Sequence, residues 1–131
     1  MTILADTSAL LPVLAGNDVD HERCRRTFED LARANDLIAH SYVIVEAASL
    51  AQRRLGTDAV RTLLAEIVPL IEIVFVDREL HDAAVTAHLA ASRRAVSLVD
   101  WTSFELMRRR GIGIAFALDT DFREQGFRTV P

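Results

Sequence analysis

The chain is expected to fold as an α/β domain, and three stretches carry that expectation. The first, Thr2-Ile-Leu-Ala-Asp6-Thr7-Ser8-Ala-Leu-Leu11, runs a short apolar strand into an acid and two hydroxyls and then into a helix start. The second, residues 70–76, has the β-branched content of a strand. The third, residues 112–118, is an apolar run that empties into Asp119-Thr120-Asp121-Phe122. Helical segments with recognisable ends lie between them. In open α/β sheets ligands collect beyond the carboxyl ends of the strands, so the acids at those ends are the first candidates for chemistry.

In chain order, the first strand delivers Asp6, where Asp6, Thr7 or Ser8 also suits a helix cap; capping and a site are both open at this point. A short helix over residues 8–14 is broken by Gly16-Asn17-Asp18. In a second helix, residues 20–34, Cys24, Phe28 and Leu31 make an apolar stripe while four arginines mingle with acids on a solvated face. Asn35-Asp36 turns the chain into a second strand, residues 37–40, ending in His40, which is read as a packing or hydrogen-bonding residue. The third helix runs from about Ser41 to Gly56 and carries an anomaly. Glu46 has Tyr42, Val43, Ser49 and Leu50 as its helical neighbours, so an acid occupies a mostly apolar surface. Burying an unpaired carboxylate costs several kcal/mol, so an Arg partner or a metal should compensate it.

Thr57-Asp58 starts a helix expected to reach about Ile67, and the strand over residues 70–76 follows. Asp77 caps the next helix, whose His81 and His88 lack an HExxH arrangement and are read as surface or packing residues. The segment from Ala95 to Gly111 is a helix with clear ends. Ser97 and Asp100 resemble a capping box with Asp in place of Glu, and a negative charge in a first turn is favoured by about 0.3 to 1 kcal/mol, so capping alone is enough to explain Asp100, and a site role stays open beside it. Three arginines suit the other pole, and Gly111 stops the helix. After the strand over residues 112–118, a last short strand at residues 128–130 ends the chain.

Composition removes several classes. With 131 residues, half of them hydrophobic, the chain is expected to form one domain, residues 1–131. Glu72 interrupts the best apolar run, well short of the roughly 18 residues that span a bilayer. The N-terminus has no basic start and places Asp6 inside its apolar segment, so no membrane role is expected and the cytoplasm is. The single cysteine cannot form an internal disulfide or build a thiolate zinc site. All fifteen basic residues are Arg, which excludes a phosphate-loop lysine and a Schiff-base nucleophile. Gly111 and Gly113 lack the third glycine of a dinucleotide fingerprint. A net charge of −4 argues against a simple basic face for nucleic acid, yet two divalent cations among clustered acids would neutralise it.

Carboxylates and metals remain. Asp6, Glu46, Asp100 and Asp119 are too far apart for any short motif and would meet only in a folded sheet. Oxygen-only clusters suit hard ions such as Mg²⁺ or Mn²⁺. Taken in order, Asp-Thr-Ser-Ala-Leu, a helical Glu, an Asp on a late helix and Leu-Asp-x-Asp-Phe resemble a PIN domain, and more narrowly the VapC-type toxins of bacterial toxin–antitoxin pairs, over essentially the whole chain. The resemblance implies a parallel sheet of order 3-2-1-4-5 flanked by helices, with the ends of strands 1 and 4 side by side. It assigns Asp6, Glu46, Asp100 and Asp119 as the acidic, metal-holding, catalytic set, with Asp121 as a nearby fifth acid and Ser8 in support. Of Asp119 and Asp121, the former is preferred because it follows its strand directly. The activity implied is Mg²⁺-dependent cleavage of single-stranded or looped RNA with one or two ions, Mn²⁺ being an alternative. The implied partners are an RNA substrate, a cognate antitoxin protein and a second copy in a homodimer. The competing expectation is a catalytically silent PIN-fold binding module that dimerises and engages a regulator.

Overall fold

The structure, a computed structural model, describes residues 1–131. Strand β1 (Ile3–Ala5) lies at the centre of a five-stranded sheet, and α1 (Thr7–Leu14) and α2 (His21–Arg33) lead to β2 (Leu37–His40). Next come α3 (Ser41–Leu55), α4 (Thr57–Thr62), β3 (Glu72–Val74), α5 (Arg78–Ala91), α6 (Leu98–Arg110), β4 (Ile114–Phe116), α7 (Asp121–Glu124) and β5 (Arg128–Val130). The sheet order is β3-β2-β1-β4-β5, with every pair parallel, as expected.

The two-residue period of a strand divides the core between the faces. Leu4, Ile38 and Ala115, paired side by side, point to one face and pack with Leu80, Phe104 and Phe122 of α5, α6 and α7. Ile3, Ala5, Leu37, Ala39 and Phe116 point to the other, against Leu10, Cys24, Phe28 and Val43 of α1, α2 and α3. Cys24 is fully buried there, as a packing thiol should be. A parallel sheet covered on both faces is the arrangement that near-continuous apolar strands require.

Four boundaries differ from the sequence reading. The helix starting at Thr57 does not continue regularly to Ile67: after Thr62 it widens over Leu63–Ile67, Val68 N–H reaching back five residues to Leu63, and then tightens over Val68–Leu70. That tight turn, with Pro69 suited to its opening positions, occupies residues 68–70, so β3 begins only at Glu72. As an edge strand β3 has an exposed Glu72 and half-buried Ile73 and Val74. Strand β4 is trimmed to Ile114–Phe116, α6 starts after its Ser97 cap, and the single turn of α7 was not anticipated. Gly111 stops α6 in the left-handed region at φ 66°.

Candidate acidic active site

The switch point of the sheet lies where β1 and β4 end beside each other. Asp6 N–H donates to Phe116 O at 2.9 Å, which fixes the strand end against its neighbour. The Asp6 carboxylate then accepts from Ser8 N–H (3.0 Å) and Ser8 Oγ (2.6 Å), capping α1. Ser8 Oγ also accepts from Leu118 N–H (3.0 Å) and Asp119 N–H (3.2 Å). One hydroxyl thus ties the first acid to the loop that carries the last. The capping reading of Asp6 is correct, and it coexists with a place in the cleft.

That cleft is lined by Asp6, Ser8, Glu46, Asp100 and Asp119, so the structure brings the four expected acids together from four separate elements. Glu46 reaches it from α3, where Leu50 and Arg54 follow at four-residue spacing and line the same cleft. Glu46 takes no Arg partner: its carboxylate makes no ion pair or hydrogen bond. Asp100 is held by the expected capping box, its Oδ2 accepting from Ser97 N–H (2.9 Å) and Ser97 Oγ (3.1 Å) while its own N–H donates to Ser97 Oγ (3.2 Å). Asp119 Oδ1 accepts from Asp121 N–H at 3.0 Å. Asp121 itself does not line the cleft, but one carboxylate oxygen from each of Asp100, Asp119 and Asp121 lies within 4.8 Å of the others. That spread suits a hard cation with oxygen ligands at about 2.0 to 2.6 Å.

The electrostatics follow from crowding and burial. Burial pushes the Asp6 carboxyl up to about 7 from its ordinary 3.8; the Ser8 hydrogen bonds pull it down in part, and the charges of Asp100 and Glu46 push it further up. Asp100 is raised by burial and by Asp119 against the pull of its Ser97 bonds. Asp121 rises to about 6 through burial and the neighbouring Asp119 charge. Such a set lacks positive charge at its centre. His40 is not part of it: fully buried, its Nε2 pairs with Ser103 Oγ at 2.8 Å, and burial lowers its pKa to about 4, so it packs as a neutral ring. His81 pairs through Nδ1 with the Tyr42 hydroxyl at 2.7 Å.

Two features of the site escaped the sequence reading. Arg54 is the only cation lining the cleft, signalled by nothing stronger than its place eight residues after Glu46 on one helix. Beside Glu46, Tyr42, Val45, Leu98 and Val99 form an apolar groove, with Val45 65% exposed. It joins residues distant in sequence, which no local pattern announces.

A cluster of carboxylates at the switch point of a parallel sheet is the arrangement of a metal-dependent enzyme of phosphate-ester chemistry. The chain belongs to the PIN domain family, whose model matches residues 3–128. It is 29% identical over 126 residues to a Mycobacterium tuberculosis protein named 23S rRNA-specific endonuclease VapC20, covering 95% of each chain. The crystal structure of VapC20, described as a Sarcin-Ricin loop cleaving toxin, superposes with a TM-score of 0.84 at 28% identity over 96% of each chain. FitAcB from Neisseria gonorrhoeae shares the fold, with a TM-score of 0.69 at 14% identity, over 99% of this chain and 97% of that one.

Proposed function

We propose that this chain is a Mg²⁺-dependent endoribonuclease, the toxin member of a toxin–antitoxin pair acting in the cytoplasm. The observation that carries the reading is the convergence of Asp6, Glu46, Asp100 and Asp119 on one cleft with no arginine paired to Glu46. Asp6, Glu46, Asp100 and Asp119 are the residues that would hold the cation, with the Asp121 carboxylate close to those of Asp100 and Asp119 as a fifth. When bound, Mg²⁺ or Mn²⁺ supplies Lewis acidity toward a phosphate oxygen and lowers the pKa of water.

The chain's own residues prepare the site. Ser8 holds Asp6 and the Asp119 backbone in fixed relation, and Ser97 orients Asp100. Asp6, whose carboxyl burial pushes up to about 7, would hold a cation as the deprotonated carboxylate. Thr7, Ser8 and Ser97 are the hydroxyls in the lining, and the latter two are committed to orienting acids. Membership of the PIN family supports cleavage by water attack at phosphorus with the P–O3′ bond breaking, which leaves a 5′-phosphate and a 3′-hydroxyl.

The finer partners belong to the same reading. A cognate antitoxin protein offering an Arg to the acids would silence the cleft, since a guanidinium fork suits carboxylates. The apolar groove at Tyr42, Val45, Leu98 and Val99 supports a homodimer, which Val45→Glu should dissociate in sedimentation. The deciding experiment incubates purified protein with 23S rRNA and with a mixed RNA pool in Mg²⁺, Mn²⁺ or EDTA and maps the cut ends. Metal-dependent cuts with 5′-phosphates are expected. Intact RNA in every condition would leave the silent binding module as the better reading.

A further inference from the structure

The cleft contains four acids and a single cation, and that cation is uncommitted. Arg54 makes no ion pair or hydrogen bond with Glu46, with Asp18, which lines an adjoining cavity beside it, or with any other carboxylate. Most other arginines of the chain are paired, several on α2 with acids one turn away. Glu46, Leu50 and Arg54 lie on one face of α3, and eight residues of helical rise place Arg54 about 12 Å along the axis from Glu46.

An RNA strand carries charge on every nucleotide. A cation held by the acids would answer the scissile phosphate, but the flanking phosphates would meet a surface of carboxylates. We propose that Arg54 is a substrate-positioning residue that binds an RNA phosphate flanking the cut site and so sets the direction of the strand through the cleft. Its guanidinium presents a planar fork of donors suited to phosphate oxygens. The inference rests on the ribonuclease reading above.

A plainer role competes with it. Arg53 and Arg54 both sit in the last turn of α3, where positive charge complements the helix pole. Arg53 shares that turn and lacks an acidic partner but does not line the cleft, which makes it the internal control.

The test measures kcat and KM for wild type, Arg53→Ala, Arg54→Ala and Arg54→Lys in Mg²⁺ over a series of salt concentrations, on a labelled RNA that wild type cuts. Arg54→Ala is expected to raise KM about tenfold with kcat largely kept. The slope of log kcat/KM against log salt should also become shallower by about 0.7, one single-strand phosphate contact. Arg54→Lys should keep the salt slope while recovering part of the KM, and Arg53→Ala should match wild type in both. Equal KM and salt slope for Arg54→Ala and wild type would overturn the proposal while leaving the nuclease reading intact. The same change in Arg53→Ala would assign the effect to the helix pole and also overturn it. A wild type that cuts no RNA would fail the reading and the proposal together.

Discussion

Asp6→Asn removes a charge from the cleft while leaving its hydrogen bonds available, because an amide oxygen can still accept from Ser8 N–H and Oγ and Asn is as good a helix cap as Asp. In wild type without metal, the carboxyl is 3% exposed and its pKa stands near 7 instead of 3.8. A raised folded-state pKa means the folded chain binds the proton more tightly than the unfolded one. The cost of ionising Asp6 therefore begins as pH rises through the unfolded value and is complete above the folded one. At 1.36 kcal/mol per pKa unit it amounts to about 4 kcal/mol at pH 8. For a chain of this length that is on the order of 10 °C in Tm. His40 opposes this trend: burial lowers its pKa to about 4, so between about pH 6.5 and 4 the unfolded chain takes up a proton that the buried ring refuses, and the fold loses stability. That slope is common to both proteins and cancels in their difference. Circular-dichroism melts of wild type and Asp6→Asn at pH 5 and pH 8, in EDTA and in Mg²⁺, are the assay. The variant should melt higher at pH 8 in EDTA, lose most of that advantage at pH 5, gain less from Mg²⁺ and fail to cut RNA. A variant less stable than wild type at pH 8 in EDTA would refute the reasoning and leave Asp6 as a helix cap alone.

Asp100→Asn should keep α6, because the amide oxygen can still accept from Ser97, with a Tm within a few degrees of wild type and RNA cleavage abolished; cleavage at the wild-type rate would remove Asp100 from the catalytic set. Ser8→Ala strands two backbone N–H groups and one lone pair of Asp6, so about 1 to 3 kcal/mol of stability should be lost in urea unfolding together with activity. Phe104→Ala empties a fully buried position where Trp101 and Phe122 meet the ring edge to face, and about 3 to 5 kcal/mol should disappear in the same unfolding assay. Metal affinity measured by calorimetry on the folded fraction should change far less for Phe104→Ala than for Ser8→Ala, since only Ser8 touches the acids.

The acids were legible because each stands where a strong local signal ends: Asp6 and Asp119 after apolar strands, Asp100 beside a capping serine. Glu46 was legible as an acid out of place on an apolar helix surface. Capping and a place in the cleft coexist at Asp6 and Asp100, since a carboxylate that caps a helix with one oxygen leaves the other free for the cleft. Less was readable where tertiary context decides. The β-branched run of residues 70–76 yields only three residues of strand, because β3 is an edge and the tight turn over residues 68–70 occupies its approach. The turn of α7 depends on Phe122 burying against Phe104, a contact between elements. Arg54 carries no local mark, because its significance lies in what it does not pair with, and only the folded chain defines that.

The Ser8 clasp also bears on when the site can exist during synthesis. Its hydroxyl joins residues 110 and 111 positions apart in the chain, and β1 cannot be walled in on that side until β4 has docked. Asp6 leaves the ribosome well before the backbone groups that hold its serine, which follow 110 and 111 positions behind Ser8. A nascent chain thus emerges with its first acid already made but unanchored, and the cleft closes only when the C-terminal strands are free to pair. A ribosome producing an RNA-cutting protein of this design makes the first acid long before the cutting site is assembled.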